Sequence, residues 1–309
     1  MMKYIFNLII TTIILAGSLA NAAPVTTSSD KELQATYQDI QSTLGIVPTF
    51  MKAYPEAGLP AAWEEFKNVQ LSKNTMLSGK QKELIGLAVS SQIPCKYCAY
   101  FHTEAAKLNG ATQTEMKEAV AMAAATRHWA TIIEGNQLKD AEFDKEIENV
   151  IAFMRKEKER PVKEQVAEKP AAADVFNAKT AYQDIEKTFG SVPSLFRQFP
   201  ENSIAGAWKM LKSVQLNPET SISAKDKELI ALAVGAQVPC KHCIHFDTEA
   251  AKLNGASTEE IRETLAMAAQ TRFWSTVING SQMDEAKFKR ETNQILRYVK
   301  SQTKRVGMK

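Results

Sequence analysis

Apolar residues fall at helical spacing in several separate stretches of the chain. Leu84, Leu87, Ala88 and Ser91 share one face, Met116, Val120, Ala123 and Ala124 continue towards Ile132, and Phe143, Ile147, Val150, Ile151 and Met154 form a further set. Start and stop signals bracket these stretches. Ser78 with Gln81 and Thr112 with Glu115 have capping-box spacing, and Pro94 is expected to open the helix between them. Gly110 and Gly135 stand where helices should end. No stretch alternates with period two between tight-turn residues. The pattern predicts an all-α fold.

The same pattern is then written a second time. A shift of 145 positions lays Tyr37-Gln38-Asp39-Ile40 on Tyr182-Gln183-Asp184-Ile185, Trp63 on Trp208, and Val69-Gln70-Leu71 on Val214-Gln215-Leu216. Over residues 82–131 against 227–276, 32 of 50 positions are identical. Ser223/Asp226, Pro239, Gly255, Ser257/Glu260 and Gly280 repeat the boundary signals. Between the copies, residues 155–174 are rich in Lys, Glu, Pro and Ala without apolar periodicity, which reads as a solvated linker, partly helical at its start. The expected organisation is a leader at 1–22 and helical domains at 23–154 and 175–309, each with its own core.

Residues 1–22 differ from all of this. Lys3 precedes an apolar run from about Tyr4 to Leu15, and Ala20-Asn21-Ala22 places small residues where a signal peptidase reads. The run is shorter than the ~20 residues of a membrane span, so a cleaved export signal and a periplasmic location are expected. Composition adds exclusions. At 309 residues, 44% hydrophobic and 24% charged, the chain has globular values. With 38 basic against 35 acidic residues, its charge of +3 gives no reason to expect nucleic acid as a partner.

The four cysteines cluster in two C-x-x-C pairs. In Pro94-Cys95-Lys96-Tyr97-Cys98-Ala99-Tyr100-Phe101-His102, helical geometry puts Cys98 about 60° and His102 about 20° from Cys95. Both sulfurs and the imidazole therefore share one stripe. A helix N-terminus with a basic neighbour favours thiolate, the reactive form of cysteine. Glu83, on the preceding helix, is placed to orient His102 across the helix pair. The second copy keeps Glu228, Cys240 and Cys243 but has Asp247 in place of the histidine. His242 and His245 lie about 200° and 140° around the helix from Cys240 and are poor substitutes. An ionised Asp247 would oppose thiolate on Cys243, which predicts a weaker second site. An inert disulfide restrains little chain over so short a loop, and a zinc site of two thiolates, His102 and Glu83 has no equivalent in the second copy.

Other residues invite plainer readings. Trp63, Trp129, Trp208 and Trp274 read as core anchors, and His128 as a packing or surface residue, since Phe273 takes its place in the second copy. Arg127 and Arg272 recur in both copies and are expected to close salt bridges with helix neighbours.

Glu83-x11-Cys95-x2-Cys98-x3-His102, followed by Ala105-Ala106-Lys107-Leu108-Asn109-Gly110, resembles the AhpD-like alkylhydroperoxidases of the carboxymuconolactone decarboxylase superfamily. The resemblance covers about 55 central residues of each copy. It implies two tandem helical domains, trimeric or hexameric assembly and thiol-dependent reduction of small hydroperoxides by an unknown thiol reductant. It further implies Cys98 as the attacking thiolate, Cys95 as the resolving thiol, and Glu83 with His102 as a proton relay. No cofactor or metal is implied. If single domains assemble as six, a double-domain chain would need three copies, so a homotrimer is favoured. A periplasmic thiol–disulfide oxidoreductase suits the same dithiol. A carboxymuconolactone decarboxylase-type enzyme would not need it, and a locked helical module that binds a partner stays open.

Overall fold

The computed structural model describes residues 30–160 and 175–306, and among them there are helices and turns but no strand. The expected leader at 1–22 and the linker beyond residue 160 lie outside the described residues. In the first half, α1 (Asp30–Leu44), α2 (Thr49–Lys52) and α3 (Leu59–Phe66) lead through a π-helical turn (Lys67–Leu71) into α4 (Gly79–Gln92), α5 (Lys96–Leu108), α6 (Gln113–Gly135) and α7 (Asp140–Glu159). The second half repeats the order as α8 (Ala178–Phe189), α9 (Ser194–Arg197), α10 (Glu201–Val214), α11 (Ala224–Gln237), α12 (Lys241–Leu253), α13 (Thr258–Gly280) and α14 (Glu285–Val306). No described helix is long and apolar enough to cross a membrane.

The boundary chemistry acts where the sequence places it. Ser78, Thr112 and Ser257 close capping boxes, each cap worth about 1 kcal/mol. Gly110 and Gly255 take φ of 82° and 88° after α5 and α12, a conformation open to glycine because it has no Cβ. One expectation is corrected. Pro94 and Pro239 do not open their helices, because Cys95 and Cys240 are the N-cap residues, in extended conformation. Each N-cap sulfur accepts the backbone N–H of the second cysteine at 3.2 Å.

Burial departs further from the periodic reading. Residues 82–90 of α4 and 227–235 of α11 are buried without a break, including Lys82, Glu83, Lys227 and Glu228. A helix buried on every side needs neighbours on every side, and one half supplies too few. The two halves therefore share their core, against the expectation of separate ones. α4 and α6 pack with α11 and α13 in one central cluster built on Leu84, Ile85, Met122, Leu229, Ile230 and Met267.

The ends of the molecule are exchanged. Phe288 and Ile295 of α14 pack with Ile40, Phe50, Trp63 and Cys98 of the first half. Phe143, Ile147 and Ile151 of α7 pack reciprocally with Cys240, Cys243 and Ala250 of the second. Matching hydrogen bonds mark an approximate twofold axis. Thr49 N–H donates to Glu291 at 2.8 Å as Ser194 N–H donates to Glu146 at 2.8 Å, and Leu77 N–H donates to Glu263 as Ile222 N–H donates to Glu118.

Candidate functional site

The first dithiol sits at the start of α5, with Cys95 joined to Cys98 as a disulfide and the pair 1% and 5% exposed. One turn on, His102 Nδ1 lies 2.7 Å from Glu83 Oε2, and both side chains are buried. Gly86 makes this approach possible, since a Cβ there would stand 2.3–2.7 Å from three atoms of the His102 ring. Removing either member of such a buried pair typically costs about 3–5 kcal/mol, because the other is left uncompensated.

A glutamine that the sequence reading passed over completes the arrangement. Gln70, in the π-helical turn, donates its Nε2 hydrogen to Glu83 Oε1 at 3.1 Å, and Gln270 of α13 donates to Gln70 Oε1 at 2.9 Å. Single-turn π segments often accompany functional sites. The recurrence of Val-Gln-Leu in both halves was the available signal for Gln70. Nothing in the local sequence marks Gln270, which is 200 residues away. Asn279, also on α13, lies 3.5 Å from the Cys95 sulfur.

The second dithiol repeats the frame with different chemistry. Cys240 and Cys243 are disulfide-bonded, and Gln215 donates to Glu228 at 3.0 Å. Lys227 holds the carbonyls of Val214, Gln215 and Asn217, which fixes the segment carrying Gln215. Burial pushes the Glu228 carboxyl up to about 7. Burial, and then the charge of Glu228, holds the Asp247 carboxyl well above the usual carboxylate range. The sequence pattern suggests an Asp247 anion that repels thiolate, whereas its burial in the folded chain favours the protonated form. No imidazole stands at the position of His102, although His242, held by Asp144, lines the same cavity.

These shifts set a sign for stability. Both carboxyls hold protons more tightly in the folded than in the unfolded chain, so stability falls as pH rises from about 4.5 to about 7. Asp247→Asn is expected to flatten that fall and raise the melting temperature near pH 8 by a few degrees. Thermal melts across the pH range check this, and an unchanged slope contradicts it.

Each dithiol opens on a cavity walled by both halves. Cys98 and His102 line the first together with Phe50, Gln70, Gln270 and Trp274, around a volume of about 30 Å³. Cys243 and Asp247 line the second with Trp129, Phe143, Ile147 and Phe196, around about 100 Å³. In both, the second cysteine of the pair faces the cavity and the N-cap cysteine does not.

The remaining candidates sort as follows. His242 Nδ1 lies 2.9 Å from Asp144 on α7, and His245 lies 3.8 Å from the same carboxylate. Their counterparts Tyr97 and Tyr100 reach Met283, in the turn before α14, and Asn293 of α14. These positions hold the exchanged segments, and His242 also lines the second cavity with Cys243. All four tryptophans are buried, and Trp129 and Trp274 also wall the cavities. His128 packs on Trp129 and Phe199. Arg127 and Arg272 are exposed and form no ion pair with a described residue, so the expected salt bridges are not formed. A zinc site would need four donors to converge, but Glu83 bonds His102 and the sulfurs bond each other. Among the described residues no three His, Cys, Asp or Glu side chains are grouped to hold a metal ion.

The family model described as Carboxymuconolactone decarboxylase family matches residues 57–137 and again residues 205–284. Among solved structures, the chain is similar to a protein from Burkholderia xenovorans LB400 provisionally assigned as a gamma-carboxymuconolactone decarboxylase subunit. The TM-score is 0.51 at 16% identity, over 89% of this chain and 98% of that one. At that identity the likeness speaks for the fold alone. No curated protein matches the chain.

Proposed function

Because the chain belongs to the carboxymuconolactone decarboxylase family, matched once in each half, we propose that it is a thiol-dependent peroxidase whose main site is Cys95, Cys98, His102 and Glu83. The observation that carries this reading is the shared cavity. Cys98 and His102 line one small space, and Glu83 fixes the imidazole from behind at 2.7 Å. The Nδ1 contact with Glu83 leaves Nε2 as the nitrogen free for proton transfer.

The chemistry follows in balanced steps. In the reduced protein, His102 takes the Cys98 proton, and the thiolate attacks the terminal oxygen of a hydroperoxide. The O–O bond breaks, Cys98 becomes a sulfenic acid, and the alkoxide takes the proton from His102 to leave as an alcohol. The Cys95 thiol then attacks the Cys98 sulfur, water leaves, and the disulfide forms. An external dithiol returns both sulfurs to the reduced state. Cys98 is 5% exposed behind a narrow cavity, which favours a small oxidant over protein thiols.

The test is cumene hydroperoxide consumption with dithiothreitol as donor. Rapid turnover is expected, whereas exchange with unfolded-protein thiols and no peroxide consumption would overturn the reading. The second site, with Asp247 in the place of His102, is proposed to contribute little. Cys243→Ser should therefore keep most of the turnover, and a loss equal to that of Cys98→Ser would contradict it. Export through residues 1–22 and assembly as a homotrimer belong to the same proposal. A leader–phosphatase fusion and light scattering on the purified chain check them.

A further inference from the structure

The first cavity contains two buried polar atoms with no partner among the described residues. Gln270 is 2% and Thr271 4% exposed, both line the cavity beside Cys98 and His102, and neither Gln270 Oε1 nor Thr271 Oγ1 has a hydrogen-bond partner among the described residues. Buried polar atoms left unpaired are uncommon and costly.

The orientation of Gln270 is fixed by a chain of single-valued choices. Gln70 presents its NH2 group to Glu83 and its oxygen to Gln270. Gln270 must then present its own NH2 group to Gln70. Its oxygen is left as an acceptor at the cavity wall. Thr271 adds a hydroxyl one residue on, able to donate as well as accept.

We propose that Gln270 and Thr271, supplied by the second half of the chain, bind the peroxy group of the substrate in the first site. This rests on the peroxidase reading above and adds the residues that position the oxidant. The terminal O–H of the hydroperoxide donates to Gln270 Oε1, which sets its terminal oxygen against the Cys98 sulfur. Thr271 donates to the inner oxygen, where negative charge develops as the O–O bond breaks. The second cavity has Thr126 in the place of Thr271 but Ala125 in the place of Gln270. The first site alone is therefore equipped to hold the terminal O–H.

The test measures two rates on reduced protein. One is single-turnover oxidation of Cys98 by cumene hydroperoxide. The other is alkylation of Cys98 by iodoacetamide, which reports the thiolate without needing the peroxy contacts. Gln270→Met and Thr271→Val, each close to its parent in volume, are expected to slow oxidation roughly 10- to 100-fold. Alkylation and its pH profile should stay within about twofold, since the Glu83–His102 pair is left in place. Unchanged oxidation overturns the proposal. So does an equal fall in both rates, which would mean that the two residues act only through the Gln70–Glu83 chain or through packing. Wild-type protein that no hydroperoxide oxidises would sink the peroxidase reading itself, and it is recognised before any variant is made.

Discussion

Cys98→Ser should lower hydroperoxide turnover by about 100-fold, down to what the second site supplies. The size of the fall follows from the difference between the sites. A positioned acid–base group contributes roughly 10²- to 10⁴-fold. His102 provides one in the cavity beside Cys98, while the corresponding place beside Cys243 is taken by Asp247, whose carboxyl burial raises. The double variant Cys98→Ser/Cys243→Ser should fall to the uncatalysed rate. Trapping with a dimedone-type reagent separates the roles within the first pair. Cys95→Ser should accumulate label at Cys98, because the sulfenic acid formed there has no resolving thiol. Label that persists at Cys95 in Cys98→Ser would reverse the assignment, and the position of Cys95 at the N-cap, where thiolate is favoured, makes the experiment worth doing.

Gly86→Ala should inactivate the first site nearly as fully while leaving the second intact. The new methyl would stand 2.3–2.7 Å from three ring atoms of His102, and a helix buried on all sides has no room to move away. The imidazole must leave its place between Glu83 and the cavity, with an expected loss of about 100-fold in turnover and about 1–3 kcal/mol in stability. The second half shows the complementary solution, with Ala231 at the position of Gly86 and the smaller Asp247 at that of His102. Asp247→His alone should therefore fail, and Asp247→His/Ala231→Gly should gain peroxide turnover. The melting temperature and turnover of all three variants check this. Gain of activity in the single variant would contradict the steric account.

Much of this was legible in the chain itself. The duplication, the capping boxes, the glycine ends at 110 and 255 and the placement of Cys98 and His102 on one face follow from spacing alone, whereas Cys95 precedes the helix as its N-cap. Burial was not. Lys82, Glu83 and Ser90 look like the polar face of an amphipathic helix, and only the arrival of α11 and α13 from the other half encloses them. The apolar faces of α7 and α14 announce that they will be covered, but periodicity does not say by which half. Gln70 could have been found as a polar residue preserved in both copies. Gln270 could not, because its meaning lies in a contact across 200 residues and its counterpart is alanine. The upward shift of the Asp247 carboxyl is hidden for the same reason, since its burial beside Glu228 is a tertiary fact.

The exchange of α7 and α14 has one more effect. Had two identical polypeptides embraced in this way, any inherited change would appear in both clefts at once, and neither could specialise without its twin. Joining them end to end breaks that bond of likeness. Glycine, histidine and glutamine at 86, 102 and 270 coexist with alanine, aspartate and alanine at 231, 247 and 125, so one cleft is free to drift while its sister keeps the working set.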